Sequence, residues 1–163
     1  MRILINGTIS YSMQPITVDF KGYTITTDKG QMKIPDIYDW LSTQAYWCAG
    51  IPFETFKPTF DNSFCIGAII NGKQVTYARL VTDYATFGYL ADVYVEEAHR
   101  GQGISKKMME ILLDLDWVKG LRRVMLATRD AHELYKQYGF ENCKYPERVM
   151  EITRPNIYKP LNP

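Results

Sequence analysis

At 163 residues the chain has the length of one domain, since domains usually run to about 100–200 residues. Apolar and aromatic residues make up 46% of it, enough for a sizeable core, and 13% are Phe, Trp or Tyr. With 19 basic against 18 acidic residues the net charge is +1, so there is neither a basic field for nucleic acid nor an acidic tail.

Cysteines are three and widely spaced, Cys48, Cys65 and Cys143, with no C-x-x-C pair and only two histidines to help them. That supply builds neither a disulfide framework nor a zinc cluster, and the expectation is reduced thiols in a cytoplasmic protein without a metal. No apolar run approaches the roughly 18–20 residues of a membrane span, and no membrane partner is expected. Met1 to Gly7 has one basic residue and a short apolar run, too little for a secretory signal. The Asn6-Gly7-Thr8 glycosylation match is then accidental. Met13 is a candidate internal start, with residues 1–12 a non-native preface.

Along the chain, Tyr23 to Thr27 alternates with β-branched residues and stops at Asp28-Lys29-Gly30, the pattern of a first strand. From Pro35 to Cys48 the apolar residues Ile37, Trp40, Leu41, Ala45 and Cys48 recur at helical spacing, with Pro35 and Asp36 suited to a helix start. Gly50-Ile51-Pro52 breaks that helix, and a shorter one runs from Phe53 to Phe60. Three strand-like runs follow: Phe64 to Ile70, which ends at the hairpin signal Asn71-Gly72, then Gln74 to Val81 and Thr86 to Val95. Their short connections predict an antiparallel meander. Gly103 to Val118 is helical and closed by Gly120. Val124 to Ala127 is a short strand, Ala131 to Tyr138 a helix ended by Gly139, and Met150 to Ile152 a last strand before a proline-punctuated tail. The order predicts one layered unit around a mixed sheet.

The chemically informative segment runs from Val93 through Tyr94, Val95, Arg100, Gly101, Gln102, Gly103, Ile104 and Ser105 to Lys106. A strand ends, a loop holds Arg and two Gly, and an amphipathic helix begins. Glycines let backbone amides turn toward a ligand, and the helix start adds partial positive charge, so the loop suits a pyrophosphate. The phosphate loop of nucleotide triphosphatases fails here for want of Gly-Lys-Ser/Thr. The dinucleotide fingerprint fails because Lys106 occupies its third glycine position and the preceding strands read as antiparallel.

A second segment, Thr128 to Phe140, follows the short strand. Together the two segments resemble the GNAT superfamily of N-acetyltransferases. Arg100-Gly101-Gln102-Gly103-Ile104-Ser105 is similar to its R/Q-x-x-G-x-G/A motif, with Ser105 in place of the last small residue. Ala131 to Phe140 is similar to its A-x-x-L-Y-x-x-x-G-F motif. Thr128 stands where the family often has Asn, at a cofactor contact, and Asp130 is the candidate cap of the helix that follows.

The resemblance implies a single-domain α/β fold over residues 23–155, with a mixed, largely antiparallel twisted sheet of about six or seven strands and about four helices. Residues 1–22 would then be an extension and 156–163 a tail. It implies transfer of an acetyl group from acetyl-CoA to a primary amine, of a small molecule or a peptide, by direct attack in a ternary complex. On this view Gly101 to Lys106 takes the pyrophosphate, Val93 to Val95 runs beside the pantetheine arm, and Tyr135 protonates the departing thiolate. Asp92 is the candidate base or amine anchor, with Asp83, Tyr84, Tyr89 and Glu54 as further candidates. His99 and His132 are read as surface residues. The aromatic run Tyr46 to Phe53 lies where an acceptor pocket would form, although core packing accounts for Trp47 almost equally well. A homodimer through the C-terminal strand and tail is an arrangement common in the superfamily. The alternatives are a silent CoA-binding module of the same fold and a transferase using another acyl-CoA.

Overall fold

A computed structural model describes residues 2–5, 8–11 and 14–158. A six-stranded sheet forms the frame, in the order β3 (Thr17–Phe20), β4 (Tyr23–Thr26), β5 (Phe64–Ile70), β6 (Lys73–Thr82), β7 (Phe87–Val95) and β8 (Arg123–Leu126). All neighbours are antiparallel except the last pair, β7 with β8, which is parallel. Arg2–Ile5 (β1) and Thr8–Tyr11 (β2) form a separate antiparallel pair. Gly7 and Met13, with the glycosylation and internal-start readings that fall on them, lie outside the described residues.

The hairpins follow from their turns. Asn71 and Gly72 both have positive φ, 50° and 76°, the conformation of the two-residue turn that matches strand twist. Lys21 and Gly22 do the same at 54° and 82°, so the sheet starts at Thr17, before the expected first strand.

Helices cover both faces. α1 (Ile34–Thr43) and α2 (Phe53–Asp61) pack Ile37, Leu41, Phe56 and Phe60 on one face, with Cys65, Tyr77 and Tyr94 from the sheet. On the other face α3 (Ile104–Asp114) packs Ile104, Met108, Met109 and Leu112 against Ile25, Ile66, Ala68 and Leu80. α4 (Asp116–Lys119) and α5 (His132–Lys136) complete this layer through Val118 and Tyr135.

Several elements differ from expectation. α1 stops at Thr43, not Cys48: the hydroxyls of Ser42 and Thr43 bond back to the Asp39 carbonyl, and Gly50 N–H takes the Ser42 carbonyl at 2.7 Å. Ala45 and Cys48 still pack inward, from a turn rather than a helix. The helix expected over 103–118 is two, because Leu115 is extended (ψ 128°) and α4 restarts at once. Val118 stays buried, so the apolar spacing survives a break with no Gly or Pro to mark it. Met150 to Ile152 is not a strand: Met150 is 94% and Ile152 85% exposed, with no sheet partner.

Within the core, Gln74 is a fully buried polar residue whose bonds are met. Its Oε1 accepts from Lys33 N–H at 3.0 Å and its Nε2 donates to the Thr76 carbonyl at 2.8 Å. Its amide sits against Gly67, where a Cβ would collide with Nε2 and lie 2.7 Å from the Thr76 carbonyl. Gly67→Ala is therefore expected to lower unfolding stability by about 1–3 kcal/mol, read from a shifted urea midpoint. An unchanged midpoint would show that the Gln74 network yields freely.

Candidate active site

A defect in β7 organises the site. Along β6 and β7, Tyr77 pairs with Tyr94 and Arg79 with Ala91, so Ala78 faces two residues, Asp92 and Val93. This is a β-bulge, and Asp92 carries it at φ 54°, a left-handed conformation uncommon outside glycine. The extra residue inverts the side-chain alternation. Leu90 packs with the α3 layer, whereas Tyr94, four residues on, packs with the α1–α2 layer and stacks on Trp40 at 4.0 Å between centroids.

The bulge also marks where two strands part. β7 and β8 pair only from Phe87–Arg123 to Leu90–Leu126, leaving Ala91 to Val95 without a strand partner on that side. Between them opens a cleft of about 610 Å³. Ala91, Asp92 and Val93 form one wall; Leu126, Ala127, Thr128, Ala131 and Tyr135 form the other. Tyr46, Trp47, Cys48, Arg79, Tyr89 and Tyr158 also line it.

Asp92 is held from two directions. Arg79 Nε donates to one oxygen at 2.5 Å, and the exposed Trp47 donates its indole N–H to the other at 2.9 Å. Arg79 reaches on to the Ser63 hydroxyl at 3.2 Å. The carboxylate enters the cleft as a charge already paired, which suits an anchor for an ammonium better than a lone base; two lone-pair sites remain on it. Tyr135 is buried across the gap, against Phe140, and burial pushes its phenol above the usual tyrosine range. Cys48 lines the same cleft, where burial, with the Asp92 charge, pushes its thiol up to about 12.

Beyond Val95 the chain makes a short 3₁₀ turn (Glu97–His99) and reaches the glycine loop. Gly101 and Gly103 sit at φ 74° and 81°, and Gly103 caps α3 with no side chain over its first turn. Lys107 N–H bonds to the Gly103 carbonyl, so the preceding amides, Ile104 to Lys106, begin the helix without a partner inside it. Arg100 bends back, its Nε on the Val95 carbonyl at 3.2 Å, and the buried Ile104 side chain belongs to the core. Gln102 offers its carbonyl to Lys21, and Lys106 its carbonyl to Tyr138. The loop continues from the β7 wall but does not line the cleft itself.

Asp92, Val93, Thr128 and Tyr135 are thus brought into one cleft, which Tyr94 and Val95 do not line. The Thr128 hydroxyl accepts from the Ala131 N–H at 3.0 Å and closes the turn before α5, whose start carries no side-chain cap; the cap expected of Asp130 is not made. Of the further candidates, Tyr89 lines the cleft. Asp83 instead closes a tight turn, its carboxylate bonded by the Thr86 hydroxyl and the amides of Ala85, Thr86 and Phe87, which hold it far below the usual carboxylate range. Tyr84 packs on Trp117, and Glu54 is exposed on α2. His99 is half-buried, not exposed, and bonds the Tyr23 hydroxyl at 3.0 Å. Sequence reading passed over Arg79, whose signal was a lone charge within the apolar strand Val75 to Val81.

Known proteins agree with this architecture. Residues 34–140 match the model of the acetyltransferase (GNAT) family. The Gibberella zeae protein FG08082, an acetyltransferase by inferred name, is 33% identical over 75% of this chain and 81% of its own length. A crystal structure from Xanthomonas campestris pv. campestris, an inferred GNAT acetyltransferase, is 40% identical, covers 84% of this chain and 96% of its own, and superposes with a TM-score of 0.81. A Deinococcus radiodurans structure at 15% identity and a TM-score of 0.66, covering 86% of this chain and 95% of its own, shares the fold. Because the family model matches residues 34–140 and relatives at 33% and 40% identity cover most of the sequence, the chain belongs to the GNAT acetyltransferase family.

Proposed function

We propose that the protein transfers an acetyl group from acetyl-CoA to a primary amine by direct attack while both are bound. The observation that carries this reading is the parting of β7 from β8 at the Asp92 bulge, with Tyr135 buried across the gap. When bound, acetyl-CoA supplies an activated thioester with a sulfur leaving group.

The chain's residues then divide the work. Amides from Gly101 to Lys106 hold the pyrophosphate at the uncapped start of α3, where helix polarity favours an anion. The backbone along Asp92 to Val95, which has no strand partner on the β8 side, bonds the pantetheine amides and donates to the thioester oxygen as negative charge grows there. Asp92 anchors the ammonium, which must lose a proton, passed to water at the cleft mouth, before it attacks. The nitrogen bonds to the carbonyl carbon and gives its second proton to water, the carbon–sulfur bond breaks, and the thiolate takes the Tyr135 proton; water returns a proton to the phenolate. Because burial raises this phenol, it stays protonated throughout the neutral range, and loss of the acid falls above the ordinary tyrosine pKa of about 10.

Three measurements test this account. Tyr135→Phe is expected to reduce turnover about 10²–10⁴-fold while acetyl-CoA affinity holds within about threefold. Unchanged turnover would remove the phenol from the reaction. A side chain at Gly101 meets nothing in the protein within 4 Å, so Gly101→Val acts through backbone strain and through the ligand. Calorimetry should show CoA affinity falling about tenfold or more; intact affinity would place the phosphates elsewhere. Finally, a thiol at about 12 is ionised to only about one part in ten thousand at pH 8. Iodoacetamide at that pH should label the exposed Cys143 at least about a hundredfold faster than Cys48. Rapid labelling of Cys48 would reopen an acyl-enzyme route.

A further inference from the structure

Resting on the transferase reading above, we infer that the C-terminal tail belongs to the acceptor site, with Tyr158 the residue that limits how long an acceptor body the cleft admits. In that reading the donor is held by β7, by Tyr135 of α5 and by the loop before α3, so the wall from the α1–α2 layer is left to the acceptor. Leu41, Ile51 and Phe56 of that layer line the cleft. Tyr158 lines it with them and packs on the same core, although it comes from the tail.

The tail reaches that position with little support on the way. From Glu141 to Ile157 every residue is exposed, and Tyr158 is the next one half-buried. Arg154-Pro155-Asn156-Ile157 has Pro in the second position and Asn in the third, at φ 60°, the residue types of a type II turn. The backbone then touches down on Gly50. A Cβ on Gly50 would stand 2.7 Å from the Tyr158 carbonyl oxygen, closer than a side chain tolerates, and Gly50 also sits at φ 83°. Gly50 is itself fixed, its N–H on the Ser42 carbonyl at 2.7 Å, and it follows directly on the residues Tyr46, Trp47 and Cys48 that line the cleft. One glycine therefore joins the tail to the loop whose Trp47 bonds Asp92.

A wall held in this way is separable from the fold. Lining residues on helices and strands are tied into a layer, whereas Tyr158 is anchored by its ring and one close backbone approach, after a long exposed run. Removing the ring opens the cleft and leaves the layers in place. A longer apolar acceptor then fits where the ring stood, and Tyr46, Trp47 and Tyr89 offer aromatic surface to such a body. Cys48, in the same cleft and against the same core, gains access to water by the same change.

The test compares the full chain with Tyr158→Ala, Tyr158→Phe and Gly50→Ala, the last of which pushes the tail away from the other side. Thiol release from acetyl-CoA is measured with two graded series of primary amines, n-butylamine to n-octylamine and benzylamine to 4-phenylbenzylamine. The kcat/KM of the longest amine relative to the shortest should rise about tenfold in Tyr158→Ala and Gly50→Ala, through KM rather than kcat. Tyr158→Phe keeps the ring and should stay within about twofold of the unaltered chain. Without any acceptor, iodoacetamide labelling of Cys48 relative to the exposed Cys143 should quicken at least about tenfold in the same two variants. Amines turned over with an unmoved length ratio in Tyr158→Ala would overturn this inference and leave the transferase reading intact. Thiol release with no amine of either series, although acetyl-CoA binds, would overturn the transferase reading, and unmoved Cys48 labelling would then overturn the tail's place in the cleft as well.

Discussion

One additional residue in a central strand governs much of this molecule. Asp92 sits in a left-handed conformation at the bulge of β7, a position that costs a non-glycine residue about 1–3 kcal/mol unless its surroundings compensate. Arg79 and Trp47 supply the compensation by bonding both carboxylate oxygens. The carboxylate that lines the cleft therefore also keeps the strand bent, and fold and cleft share one set of contacts. An Asp rather than a Gly here is intelligible on that ground: a glycine would accept the dihedral but could not be pinned.

Two cores meet at this strand, and each serves one half of the cleft. The α3 layer presents Tyr135 and carries the glycine loop at its helix start. The α1–α2 layer ends in the aromatic turn that presents Tyr46, Trp47 and Cys48. Because the bulge sends Leu90 to the first core and Tyr94 to the second, β7 is locked from both faces. Rigid walls of this kind hold unpaired backbone amides in position, as a site that stabilises developing charge requires. Burial acts in one direction on the ionisable groups beside the gap: it keeps the Tyr135 phenol and the Cys48 thiol protonated, which suits an acid and disables a nucleophile.

Legibility in the sequence followed the range of the interaction that fixed each feature. The β5–β6 hairpin was readable because Asn71-Gly72 satisfies a turn on its own. The glycine loop and the Ala131 to Phe140 segment were readable because the motif residues lie close together along the chain. Lys21-Gly22 carried the same hairpin logic as Asn71-Gly72, yet a lysine at positive φ leaves a weaker trace, and β3 was passed over. Helix ends were misjudged where apolar spacing continued through a non-helical turn, at Ala45 to Cys48 and at Leu115. Met150 to Ile152 has the composition of a strand, but composition does not provide a partner, and these residues lie exposed.

From the order of residues alone came the mixed sheet, the glycine loop at the head of α3 and the tyrosine of the last helix, because each depends on neighbours within a turn or two of one another. Only the folded chain decided that Asp92 would be paired rather than free, that Thr128 would close the turn before α5, and that Arg79, Tyr46 and Arg129 would line the cleft. Those outcomes rest on contacts between residues far apart in sequence, such as Trp47 with Asp92 and Tyr46 with Arg129. No local pattern encodes them, since a side chain's partner depends on how whole layers pack and not on the residues beside it.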